Sequence, residues 1–168
     1  MARDFQRPFV RPAGAPREDA LQRLLDERAC ERLIVVYAQL VDFGRAREIA
    51  DLFTADGRWQ GTDLLLDGRE QIRAWFTRRE QLTRRLSRHV FTNVAVDVGA
   101  DGPGTARSLS YMVNYRRDRR DGERDLPLRA DLPKYVGECH DRFRRTDDGW
   151  RFTSRRVEVA FLRSGAAA

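Results

Sequence analysis

The stretch Ser87–Val98, SRHVFTNVAVDV, decides how the rest of this chain is read. Before it, apolar residues recur with helical spacing; from His89 onward they alternate. The alternation predicts a strand in which Val90, Thr92, Val94, Val96 and Val98 share one face, with His89, Phe91, Asn93, Ala95 and Asp97 on the other. Neither face is plainly polar, so both are expected to be covered, one by helices and the other by a second copy of the chain. That is the first indication of a homodimer.

Upstream of this strand, Leu21, Leu24, Leu25, Ala29, Leu33, Tyr37 and Leu40 predict a long helix that becomes apolar nearly all round from Leu33 to Val41 and stops at Gly44. A short helix follows with Ile49, Leu52 and Phe53 inward, then a turn at Asp56-Gly57. RWQG (58–61) and DLLL (63–66) suggest a small hairpin. A third helix is expected over 68–86, with Ile72, Trp75, Phe76 and Leu86 on one stripe. Downstream, strands are expected over 105–116, 134–145 and 150–162, the last two joined by a hairpin turn at Asp148-Gly149. Helices followed by a meander of long strands predict an α+β fold. Residues 19–163 read as one domain, between a flexible N-terminal tail (1–18) and a short C-terminal tail (164–168).

The formal net charge of +6 and the pI near 10.1 invite a nucleic-acid reading. Two features oppose it. Lys134 is the only lysine, and the arginines are interleaved with acids, as in RRDRRDGERD (116–125), which reads as a solvated loop. No nucleic-acid partner is expected. There is no apolar run of about twenty residues, so no membrane span is expected either, and the start of the chain lacks the apolar run of a signal peptide. Cys30 and Cys139 show neither metal-site nor redox spacing and read as buried, reduced thiols of a cytoplasmic protein. GADGPG (99–104) joins two strands rather than opening a helix, so it is no phosphate loop. Two histidines without clustered acids make no metal site.

Several pieces in order, YAQLVDFGRAREIADLFTADGRW (37–59), DGREQI (67–72), RHVFTNVAVDV (88–98) and HDRFRRTDDGWRFTSRRVEV (140–159), resemble the SnoaL-like family of the nuclear-transport-factor-2-like superfamily over residues 19–163. The resemblance implies a cone-shaped, curved antiparallel sheet wrapped around the N-terminal helices, with a central pocket. It also implies a choice of functions, since such families include dehydratases, ketosteroid isomerases, polyketide cyclases, epoxide hydrolases and catalytically silent binding modules. Fold sets the pocket and not the reaction.

On the residues alone, Asp42 is a turn-forming aspartate with Arg45 nearby, and His89 is a structural residue opening a strand. The resemblance makes them a catalytic pair, because dehydratase-type members place an aspartate at this helix end and a histidine on this strand. Such a pair can remove a proton next to a carbonyl and protonate a leaving hydroxyl, with no metal or organic cofactor. Tyr37, Trp59, Phe91, Asn93, Met112, Asn114, Cys139 and Phe143 are the expected substrate-binding walls, with Asn93 and Asn114 standing out as amides that need partners. His140 alternates with Cys139 and is expected to face outward, while Trp75 and Trp150 read as structural. The chain departs from scytalone-dehydratase-like members at three positions. Met112 stands where they carry a second histidine, and Gly137 and Cys139 stand where they carry serine and asparagine.

The expected function is therefore a cofactor-independent lyase or isomerase, of dehydratase or cyclase type, using Asp42 and His89 on a small apolar oxygenated metabolite in polyketide or other secondary-metabolite biosynthesis. The alternative is a non-catalytic small-molecule-binding or assembly module of the same fold. A third reading is a structural subunit resembling the β-subunit of ring-hydroxylating dioxygenases.

Overall fold

The computed structural model describes residues 17–123, 126–129 and 132–164. Helix α1 spans Arg17–Asp42, followed by a 3₁₀ helix at Ala46–Leu52. Then come β1 (Phe53–Gln60), β2 (Leu65–Asp67), α2 (Arg69–Glu80), β3 (Arg85–Val98), β4 (Thr105–Asp118), β5 (Tyr135–Thr146) and β6 (Gly149–Leu162). The strands form one curved, unclosed sheet in the order β2-β1-β6-β5-β4-β3, antiparallel except where β1 runs parallel to β6. This is the expected α+β cone, with helices closing its inner face. The expected N-terminal tail lies outside the described residues up to 16, as does the C-terminal tail from 165.

Helix α1 docks through Cys30, Ile34, Tyr37, Leu40 and Val41, all buried, at the spacing of one helical stripe. Its first turns are different: Leu21, Leu24 and Leu25 remain exposed. The anchor there is the buried Asp26, which accepts the Trp150 indole N–H at 3.0 Å and pairs with Arg145. Both cysteines are buried free thiols, and burial pushes each up to about 12.

Four details depart from the sequence expectation. Helix α2 ends at Glu80 rather than running to 86, and Leu86 belongs to β3. The strand begins early because Arg85 faces Asp118 across β4 and holds both its carboxylate oxygens, at 2.8 and 2.9 Å. Asp56-Gly57 lies inside β1, where the register against β6 shifts between Phe53 and Arg58. A Cβ on Gly57 would sit 2.9 Å from the Phe53 Cβ, so the tight irregularity needs glycine. Arg45 pairs with Glu48, not with Asp42.

The most consequential departure is in β3 itself. Its register against β4 slips between Thr92 and Ala95, where Asn93 adopts φ of 50°. One extra residue in a strand exchanges its two faces. Phe91 therefore points into the core, and beyond the bulge so do Val94, Val96 and Val98, while Asn93 is exposed. The continuous valine face read from the sequence does not exist.

The core also contains an ion pair that the sequence reading did not single out. Asp141 on β5 and Arg155 on β6 are both fully buried and joined by two parallel bonds of 2.8 and 2.7 Å. The guanidinium lies 4.2 Å from the Tyr37 ring centre and 4.5 Å from that of Phe152. Burial works against the charged arginine, but Asp141 outweighs it and holds Arg155 above its ordinary value. Removing one partner leaves an uncompensated buried charge. Arg155→Met is expected to destabilise the fold by about 3–5 kcal/mol, a fall in Tm of roughly 6–20 °C. In the double variant Arg155→Met/Asp141→Leu most of that loss is expected to be recovered in thermal unfolding.

Candidate functional site

β3 is an edge strand, so every second backbone N–H along it has no partner within the sheet. His89 carries one of these. Helix α1 stops just there, because Gly44 takes a φ of 76° and the Arg45 N–H returns to the Leu40 carbonyl at 2.9 Å. The last helical residue, Asp42, thereby reaches the strand. Its Oδ2 accepts the His89 backbone N–H at 2.7 Å, and its Oδ1 accepts the Ser87 hydroxyl at 2.8 Å. Oδ1 also lies 2.7 Å from His89 Nδ1.

A carboxylate at a helix C-terminus is disfavoured by the dipole, and burial raises its proton affinity. The contacts from His89 and Ser87 outweigh burial and hold Asp42 below its ordinary value of 3.8. The ionised Asp42 has no hydrogen to give, so the hydrogen between the two side chains belongs to His89 Nδ1. Nε2 is left as the basic ring nitrogen. Arg79, near the end of α2, donates to the Ser87 hydroxyl at 3.2 Å and extends the chain of contacts behind the pair.

The His89 ring lies on the wall of a cavity of about 390 Å³. Tyr37, Trp59, Trp75, Phe76 and Tyr135 supply the aromatic lining, and Arg78, Arg79, Arg85, Asn114 and Arg116 most of the polar part. Trp59 and Trp75 stack with ring centres 5.7 Å apart, and the Trp59 indole N–H donates to the Tyr37 oxygen at 3.0 Å. Burial pushes the Tyr37 hydroxyl up to about 12, so it keeps its proton at neutral pH. That proton is the one the hydroxyl can donate.

Of the residues singled out in the sequence, Tyr37, Trp59, His89 and Asn114 line this cavity together, and Asp42 stands behind His89. Phe91, Met112 and Cys139 pack in the layer beneath it. Phe143 stacks on Phe152, 4.8 Å away in the core. Asn93 is turned outward by the bulge. His140 faces the other side of the sheet, near Glu138 and Glu158 at 3.5 and 3.8 Å. Gly137 has a steric cause: a Cβ there would lie 2.3 Å from the Glu158 carbonyl oxygen, so no serine fits. Sequence reasoning missed Ser87, Tyr135 and the arginines at 78, 79, 85 and 116, and it read as structural Trp75, which lines the cavity. Extending the His89 alternation backwards reaches Ser87 and then Arg85, but the expected helix over 68–86 covers Arg85 and the expected strand begins only at His89.

The chain matches the SnoaL-like domain family over residues 22–156, and it belongs to that family. A comparison with curated proteins gives no match. Among solved structures, a Novosphingobium aromaticivorans protein with a cystatin-like, nuclear-transport-factor-2-like fold superposes with a TM-score of 0.70 at 24% identity, covering 89% of this chain and 90% of its own. A scytalone-dehydratase-like protein from the same organism gives 0.71 at 19% identity, covering 89% and 93%. A Catenulispora acidiphila protein in complex with S-DNPA gives 0.62 at 24% identity, covering 84% and 94%. At these identities the likeness is one of fold. No helix among the described residues is long and apolar enough to cross a membrane.

Because Asp42 is held below 3.8, the stability it contributes as a carboxylate is fully present above that value and is lost as pH falls through its lower folded value. Asp42→Asn is expected to lower stability by about 1–3 kcal/mol at neutral pH. The gap between wild type and variant in thermal unfolding is expected to narrow below about pH 4.

Proposed function

We propose that this chain is a cofactor-independent lyase or isomerase, of dehydratase or cyclase type, acting on a small apolar oxygenated metabolite of polyketide or other secondary metabolism. The observation that carries this reading is the 2.7 Å contact between His89 Nδ1 and Asp42 Oδ1 on the wall of an aromatic-lined cavity. Asp42 holds the tautomer, and His89 Nε2 takes a proton from a carbon next to the substrate carbonyl. The electron pair moves onto the carbonyl oxygen, which the Tyr37 O–H meets as donor. The imidazolium then returns its proton to a β-hydroxyl, which leaves as water as the enolate collapses to the unsaturated carbonyl. Returned to carbon instead, the same proton completes an isomerisation.

An open cavity with a histidine–carboxylate pair on its wall supports catalysis over the binding-only alternative, which a cavity plugged by side chains would favour. The buried thiols fit a reducing compartment such as the cytoplasm. The outer sheet face exposes Val90, Tyr111 and Tyr115, and a second copy of the chain is the proposed cover.

Proton transfer can be read without the natural substrate. Wild-type protein in heavy water is expected to speed deuterium entry next to the carbonyl of a bicyclic ketone such as 2-tetralone, followed by NMR. His89→Ala is expected to abolish the acceleration, and Asp42→Asn to reduce it by about 10²–10⁴-fold. Exchange retained in His89→Ala would remove that residue from the mechanism. Sedimentation is expected to give a dimer at micromolar concentration and a monomer for Tyr111→Lys; a wild-type monomer would dismiss the second copy.

A further inference from the structure

Along β3 and β4, facing pairs on the inner side run Phe91–Met112, His89–Asn114, Ser87–Arg116 and Arg85–Asp118, each pair about 7 Å from the last. The series passes from apolar core, through the histidine, to a group of arginines. Arg79 and Arg78 join that group from the end of α2, and all four arginines line the cavity. The acids close to them are already engaged. Asp118 is held by Arg85, and Asp42 by His89 and Ser87. The Arg116 guanidinium has neither a hydrogen bond nor an ion pair among the described residues, Asp118 acting on it only through space, and the residue is only partly exposed. Burial first and the neighbouring Arg85 second depress both Arg79 and Arg116, as like charges gathered in a partly desolvated place require.

A second, independent feature points into the same space. Asn114 is 1% exposed, lines the cavity, and its Nδ2 donor has no partner among the described residues. A buried amide N–H without an acceptor is costly unless a ligand oxygen supplies one. The cavity thus offers stacked indoles, a histidine, and, in successive pairs along β3 and β4, an unfilled amide donor followed by an unpaired guanidinium.

We propose that the substrate is an aromatic or polycyclic carboxylic acid, whose carboxylate is held by Arg116 with Arg79 beside it while its rings lie against Trp59 and Trp75. This deepens the reading of the site as a proton-transfer centre and rests on it for what happens at His89. The carboxylate does not react. It fixes which carbon reaches His89 Nε2, about one residue pair away, and a guanidinium is suited to this because it can hold both carboxylate oxygens. Arg116 is thus a specificity-determining residue for the acidic end of the substrate.

The test is equilibrium binding by calorimetry of 2-naphthoate and of its neutral isostere 2-naphthamide. Wild type is expected to bind the acid at least about tenfold tighter than the amide. Arg116→Gln is expected to bring the acid down to the amide's affinity while leaving amide binding within about twofold, and Arg116→Lys to keep part of the preference. These affinities are read at equilibrium without turnover, so a catalytic reading that fails in the exchange experiment leaves this result standing on its own. Equal affinities, tighter binding of the amide, no acid binding up to about millimolar concentration, or an acid preference surviving in a folded Arg116→Gln variant would overturn the proposal. If Arg116→Gln does not fold, the wild-type ratio of acid to amide decides.

Discussion

One carboxylate joins the two halves of this molecule. Asp42 ends the long helix, and its oxygens take the backbone N–H, ring N–H and neighbouring hydroxyl presented by the edge of β3. Two unfavourable situations cancel there. An edge strand has donors without acceptors, and a carboxylate at a helix C-terminus faces carbonyl oxygens of its own sign. Bringing them together satisfies the first with the second. It also fixes where α1 meets the sheet, and hence where Tyr37, one turn and a half earlier, enters the cavity. The His89 tautomer follows from the same contact.

β3 carries two different environments along one strand, and the bulge at Asn93 makes this possible. Before it, alternate residues Arg85, Ser87, His89 and Phe91 face inward; after it, Val94, Val96 and Val98 do. Without the extra residue the valines would face outward and the core beneath α1 would lose its wall. Similar irregularities at Gly57 and near Gly137 bend the sheet where side chains would collide with neighbouring backbone or core atoms. A flat sheet could not wrap the helices.

The arginine-rich composition is handled in three ways. Most arginines lie on the surface beside acids, where pairing contributes little to stability. Arg155 is enclosed with Asp141 and stacked on aromatic rings, an arrangement whose breaking is expensive. The arginines of the cavity stand between these cases, partly desolvated and incompletely paired. Charge left unmatched at a concave, aromatic-lined place is what a ligand of opposite charge would complete.

By itself the sequence determined the fold class and the main elements, because helical and alternating periodicities are local and follow from side-chain geometry. The stop at Gly44, the hairpins and the four long strands were legible in this way. Asp42 and His89 were legible only through family resemblance, since each has an ordinary structural reading alone. What the tertiary structure decided depends on register. The Asn93 bulge reverses a strand's faces without any distinctive residue to announce it, and so removed Asn93 from the cavity and put the valines in the core. Arg116, Arg79 and Arg85 are unremarkable in a chain full of arginine. Only the pairing of β3 with β4, and the Arg79–Ser87 contact that brings the end of α2 to β3, gathers these charges beside His89, because proximity in a sheet is set by which residues face each other across strands rather than by distance along the chain.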